Sequence, residues 1–166
     1  ATSSSLAAGT IITFSISRIV NPTSTKPSNS FSVYSYLLGY LIESLTSGVT
    51  VTMTTPASLT ASVTPNSAIN GDSTYYLLYI TPSITIPVGS ILKFTIPSEV
   101  TLASPTCFIL SGTTTSITCS YIGNVLSITT TSAMVASTQY SFQITGFTNP
   151  RTMTQSSTFS ITFFTS

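Results

Sequence analysis

The chain has 166 residues, a formal net charge of +1, and seven charged side chains: Arg18, Lys26, Glu43, Asp72, Lys93, Glu99 and Arg151. With no His and three carboxylates, it lacks the usual means of moving protons near neutral pH. Four scattered cations cannot neutralise a phosphate backbone, and a Ca²⁺ or Zn²⁺ cage needs a ligand set the sequence does not supply, so the chain points away from catalysis, nucleic-acid binding, metals and cofactors.

The length suits one domain, with or without a piece of another. Charged residues are 4% of the chain, against roughly 25% in ordinary soluble domains. Ser and Thr, at 31 and 33 residues, take their place. So neutral a surface invites association. It implies either a glycan coat or burial in an assembly. The longest mostly apolar run, Val33 to Ile42, is far short of the roughly 20 residues of a spanning helix, so no membrane span is expected. A transmembrane barrel would want aromatic girdles, and Trp is absent. No secretory leader is visible, so a mature or excerpted chain is expected.

In chain order, the first predicted strand alternates Ile12, Phe14 and Ile16 with Thr13, Ser15 and Ser17. Bulky side chains fall on one face and hydroxyls on the other. Asn21-Pro22 ends it. The hydroxyl-rich, Pro-flanked stretch Thr23-Ser24-Thr25-Lys26-Pro27-Ser28 follows. Tyr34, Leu37, Leu38, Leu41, Ile42 and Leu45 then recur at helical spacing, but Gly39 interrupts them and no N-cap precedes. A strand, a turn at Leu38-Gly39 and a second strand are expected there, with a short helix as the alternative.

Strands are also predicted over Val49, Val51 and Met53; Leu92, Phe94 and Ile96; Leu126 and Ile128; Phe142 and Ile144; and Phe159, Ile161 and Phe163. Thr recurs at the alternate positions, where its branched Cβ suits a pleated surface. Turn signals at Pro65-Asn66, Asn70-Gly71-Asp72, Pro87-Val88-Gly89, Gly123-Asn124 and Asn149-Pro150 punctuate the runs. This pattern reads as an all-β, immunoglobulin-like antiparallel sandwich. Tyr75, Tyr76, Tyr79 and Tyr121 could stack on sugars. The plainer reading makes them core or interface residues with satisfied hydroxyls.

Cys107 and Cys119 lie six residues either side of Thr113. A hairpin turning near Gly112–Ser116 would set them face to face, with Ile109 opposite Ile117, and a disulfide would staple it. That pairing also suits an extracellular chain. Two buried free thiols are the alternative. No Asn is followed by the Ser or Thr that N-glycosylation requires: Asn21 and Asn149 precede Pro, and Asn29, Asn66, Asn70 and Asn124 lack the hydroxyl two residues on. Glycans are therefore expected to be O-linked, on Thr23, Ser24, Thr25 and Ser28 first, and on Thr113, Thr114, Thr115 and Ser116 next.

Shifting the chain by 128 residues lays residues 1–38 on residues 129–166 without a gap. Phe14 meets Phe142, Ile16 meets Ile144, Asn21-Pro22 meets Asn149-Pro150, Ser28 meets Ser156 and Phe31-Ser32 meets Phe159-Ser160. Residues 39–166 then form one complete sandwich, and residues 1–38 are the terminal strands of a preceding one. Fixed-period repetition of modules means an array. The surplus amino-terminal hairpin, about Ile11–Tyr36, would present Ile12, Phe14, Ile16, Phe31 and Val33 on one face. It is expected to complete a sandwich in another copy or in an adjacent repeat.

Ile86-Pro87-Val88-Gly89-Ser90 leads into Leu92-Lys93-Phe94-Thr95-Ile96-Pro97, then the Cys pair, then Gly146-Phe147-Thr148-Asn149-Pro150 and a Ser-Phe-Ser strand. This order, over most of residues 40–164, resembles the repeated Ig-like modules of large surface proteins of ciliates and other protists, some of which build mastigoneme-type filaments. The resemblance implies an extracellular, glycosylated, non-enzymatic role and carries over no catalytic or metal residue. The expected function is a structural subunit of an extracellular filament or surface coat, with itself and covalent glycans as partners. The alternative is a cell-surface adhesin or receptor ectodomain that binds glycan or protein through its loops.

Overall fold

A computed structural model describes residues 7–22, 24–112 and 117–164. Its described regular elements are eleven strands: β1 (Val33–Leu37), β2 (Tyr40–Leu45), β3 (Leu59–Pro65), β4 (Ser73–Pro82), β5 (Ile91–Thr95), β6 (Thr101–Leu102), β7 (Cys107–Ser111), β8 (Ile117–Ile122), β9 (Val125–Thr130), β10 (Tyr140–Thr148) and β11 (Ser160–Phe164). All strand pairs are antiparallel. No described helix is long and apolar enough to cross a membrane.

Two sheets form a sandwich. One runs β3-β4-β10, with β6 and β7 sharing the far flank of β10; the other runs β11-β5-β9-β8. Alternation turns Tyr76, Leu78 and Ile80 of β4 and Tyr140, Phe142 and Ile144 of β10 inward, against Leu92 and Phe94 of β5 and Leu126 and Ile128 of β9. Across the ladders Phe142 lies opposite Leu78 on one side and Ile109 on the other. Phe159, just before β11, stacks on Phe94 at 5.2 Å between ring centroids and tilts against Tyr76 of the facing sheet at 6.0 Å. One ring thus ties both layers.

The expected strands over 92–96, 126–129, 142–145 and 159–163 correspond to β5, β9, β10 and β11. The stretch with helical spacing is a hairpin: β1 and β2 meet through Leu38 and Gly39, both at positive φ (49° and 86°). Two such residues make the turn whose twist suits a two-residue hairpin. This hairpin is a sheet of its own, and the expected division after residue 38 falls within its turn.

The expected hairpin between Cys107 and Cys119 is not formed. β7 pairs with β10 and β8 with β9, so the chain between Cys107 and Cys119 crosses from one sheet to the other. The cysteines do form a disulfide, with Cα atoms 6.2 Å apart, but it clamps the edges of two sheets. Likewise β10 and β11 lie in opposite sheets. The Asn149-Pro150 segment is a corner between layers, because Pro150 has no N–H to continue a ladder.

Candidate functional site

The corner after β10 is built around one side chain. Asn149 is buried. Its Nδ2 donates to the Ser67 carbonyl at 2.7 Å and to the Ile69 carbonyl at 2.8 Å, while its Oδ1 accepts the Tyr76 hydroxyl at 2.7 Å. The Asn149 N–H donates to the Asp72 carbonyl, and the Gly71 N–H to that of Pro150. Tyr76 stacks on Phe147 at 4.2 Å, and burial pushes its phenol up from the ordinary value. The clamp holds the end of β10 against the turn between β3 and β4. It was missed as a site in the sequence, although the recurrence of Asn-Pro at both ends of the 128-residue shift was its signal.

Residues 12–21 align with 140–149, but their surroundings are opposite. Tyr140, Phe142, Ile144 and Phe147 are buried, whereas Ile12, Phe14, Ile16 and Ile19 are all exposed, Phe14 by 68% against 2% for Phe142. Residues 11–17 form no strand. In β10 the same pattern is paired on both flanks; among the described residues the amino-terminal copy has no such neighbours. Its backbone nonetheless repeats features of the later segment. The Thr10 N–H donates to the Ala7 carbonyl at 3.1 Å, and the Thr138 N–H to the Val135 carbonyl at 3.3 Å, 128 residues on. Within those turns Gly9 and Ser137 both have positive φ, 82° and 59°.

Further along, β1 lies in register with β11, and the stem of its hairpin is extended by Ser28 and Phe31. Their N–H groups donate to the Val51 and Val49 carbonyls. The Ser28 and Ser30 hydroxyls accept the N–H groups of Val51 and Val49 in return. This irregular pairing occupies the expected strand at Val49–Met53. Phe31 and Val33 remain about half exposed, at 49% and 48%. Most of the large apolar side chains left exposed among the described residues fall between residues 11 and 51.

Of the O-glycosylation candidates, Thr25 is exposed and Ser24 half-buried, while the Ser28 hydroxyl is engaged by Val51 and donates to the Asn29 carbonyl. Thr23, Thr113, Thr114, Thr115 and Ser116 lie outside the described residues. Of the four tyrosines, Tyr76 is in the core and Tyr121 packs against it. Tyr75 and Tyr79 sit half-buried on the outer face of β4.

Each of the three carboxylates accepts a bond from a serine. Asp72 accepts the Ser67 hydroxyl at 2.6 Å and lines an open cleft of about 590 Å³ with Tyr75 and Gly146. Glu43 accepts a long bond from Ser35. Glu99 accepts the Ser157 hydroxyl at 2.7 Å and its N–H at 3.1 Å. The Ser157 hydroxyl, then the backbone donors, hold the Glu99 carboxyl below its ordinary value. A lowered folded-state value stabilises above the unfolded pKa and is lost as pH falls through the folded one. Glu99→Gln is therefore expected to remove a small part of the acid dependence of stability. Denaturant midpoints measured from neutral to acid pH should converge for parent and variant as pH falls; curves parallel throughout would contradict the assignment.

Among the described residues no group of three or more His, Cys, Asp or Glu could hold a metal ion. No protein-family model matches the chain, and no curated protein sequence matches it.

Proposed function

We propose that this chain is a non-enzymatic structural module of a glycosylated extracellular filament or surface coat, joined head to tail to like modules by strand completion. The observation that carries the reading is the exposed amino-terminal segment. It has the apolar pattern of β10, the turn that precedes β10, and, among the described residues, none of β10's neighbours. Burying an apolar side chain of this size contributes about 1.5–3 kcal/mol, so four or five exposed ones favour a partner strongly. A sandwich of the same kind, in an adjacent repeat of a longer chain, offers the matching slot. A contact between unlike surfaces that does not close on itself propagates as a filament. The resemblance to protist surface modules, the disulfide and the near absence of charge agree with an extracellular setting. Electron micrographs of native material are expected to show filaments with a regular axial repeat; dispersed particles would overturn the proposal.

The coat is O-linked. The motive is a surface with too little charge to stay dispersed unaided. Intact mass of native material should exceed that of the polypeptide by whole sugar units, with Thr25 and the other hydroxyls of residues 23–28 carrying them first. A bare polypeptide mass would sink the idea.

A further inference from the structure

The register that aligns residues 12–21 with β10 also aligns Arg18 with Gly146. Both have positive φ, 66° and 87°. That region is rare for a residue with a side chain, so its adoption by Arg18, at the position matched to the glycine of the β10 bulge, marks a shared bend of the backbone. In β10 the pairing register shifts between Ile144 and Phe147, and the buried positions step by three there instead of two. The amino-terminal segment makes the same step, from Ile16 to Ile19. A bulge inserts one residue and re-aims those beyond it. Its phase is therefore written into both segments.

The two residues differ in what they allow. A Cβ on Gly146 would run into the Ala103 carbonyl oxygen, and would lie 3.3 Å from the Ala103 carbonyl carbon and 3.5 Å from the Pro105 Cα. These are backbone atoms, and the Ala103 N–H is itself bonded to the Gly146 carbonyl at 2.9 Å. Ser104, at φ 47°, bends the chain between them. No side chain can swing aside to make room. Arg18 carries the Cβ and six further heavy atoms that this position excludes.

Resting on the tandem-module reading above, we infer that residues 12–21 are a β10-type strand made for a sandwich that is not identical to this one, and that Arg18 bars the strand from the β10 slot of this sandwich and of its copies. The acceptor is a neighbouring repeat whose connection after its β6-type strand leaves space at the bulge. Arg18 is thus a specificity-determining residue. It favours order along an array, because each terminal strand is refused by the sandwich that follows it.

The test grafts the amino-terminal strand into the full chain. In one protein residues 141–149 take the sequence of residues 13–21, with Gly146→Arg included; in the other the graft is the same but Gly146 is kept. Tyr140 stays in both. Unfolding is followed by circular dichroism. The glycine graft is expected to unfold cooperatively. The arginine graft is expected to lose that transition, or to melt lower by about 10 °C or more, and the single Gly146→Arg variant should fail likewise. An arginine graft as stable as the glycine graft would refute the role of Arg18. A glycine graft without a cooperative transition would refute the kinship of residues 12–21 with β10. Neither outcome depends on filaments, so this inference and the proposed function fail separately.

Discussion

Asn149→Ala is expected to destabilise the sandwich by about 3 kcal/mol, among the largest effects of any single polar substitution here. The side chain meets the Ser67 and Ile69 carbonyls and the Tyr76 hydroxyl at once. Alanine leaves all three without that partner and opens a hole at the end of β10. Each buried polar group so stranded costs about 1–3 kcal/mol. The Ile69 end is near solvent, since Ile69 itself is exposed, so water can recover part of the loss and the total stays near the lower end. For a domain of this size the melting point should fall by about 12–24 °C. Tyr76→Phe removes one bond and keeps the stack on Phe147, so about 1 kcal/mol is expected. Asn149→Asp should be no better than alanine, because a carboxylate cannot donate to two carbonyls. A shift below about 0.5 kcal/mol for Asn149→Ala would show that the corner is held by its backbone bonds alone.

The same residue shows how far the sequence could be read. Period-two alternation located β5, β9, β10 and β11, since each has one buried and one more open face, and a two-residue period makes that visible. It was blind to β4, the longest strand. Tyr75, Leu77 and Tyr79 are half-buried on the outer face opposite Tyr76, Leu78 and Ile80, so apolar side chains run unbroken and no alternation appears. Ile12, Phe14 and Ile16 show the converse. Their alternation is as clear as that of β10, but a strand needs neighbours, and pattern alone does not supply them. The arrangement of β10 and β11 in opposite sheets was also hidden. A hairpin and a corner both read as two alternating runs around turn residues, and only the Asn149 clamp distinguishes them. The role of Arg18 was invisible for a related reason: it rests on φ and on the Ala103 carbonyl, neither of which has a periodic signature.

Removing the disulfide by Cys107→Ser with Cys119→Ser is expected to cost about 3 kcal/mol, the chain-entropy value for so short a loop. The separation is 12 residues, yet the link does more than close a local turn, because it fastens β7 at one sheet edge to β8 at the other. The opposite side of the sandwich, between β3 and β11, is held by packing, with Phe159 set against Phe94 and Tyr76. Without the disulfide, the β7–β8 side would keep the contacts of half-buried Ile109, Ile117 and Tyr121 with the core. The melting point should drop by about 12–24 °C. The denaturant slope should rise slightly, since the unfolded chain gains freedom and exposes more surface. A reducing agent should bring the parent close to the double-serine variant and leave that variant unchanged. The loss should also be local: amide exchange should quicken in β7 and β8 well before β4, β5 and the centre of β10, whose side chains form the buried core. Equal melting points for oxidised and reduced parent would show that packing alone closes the sandwich on both sides. Uniform acceleration across all strands would show that the two sheets open as one unit, with no weak edge for the disulfide to guard.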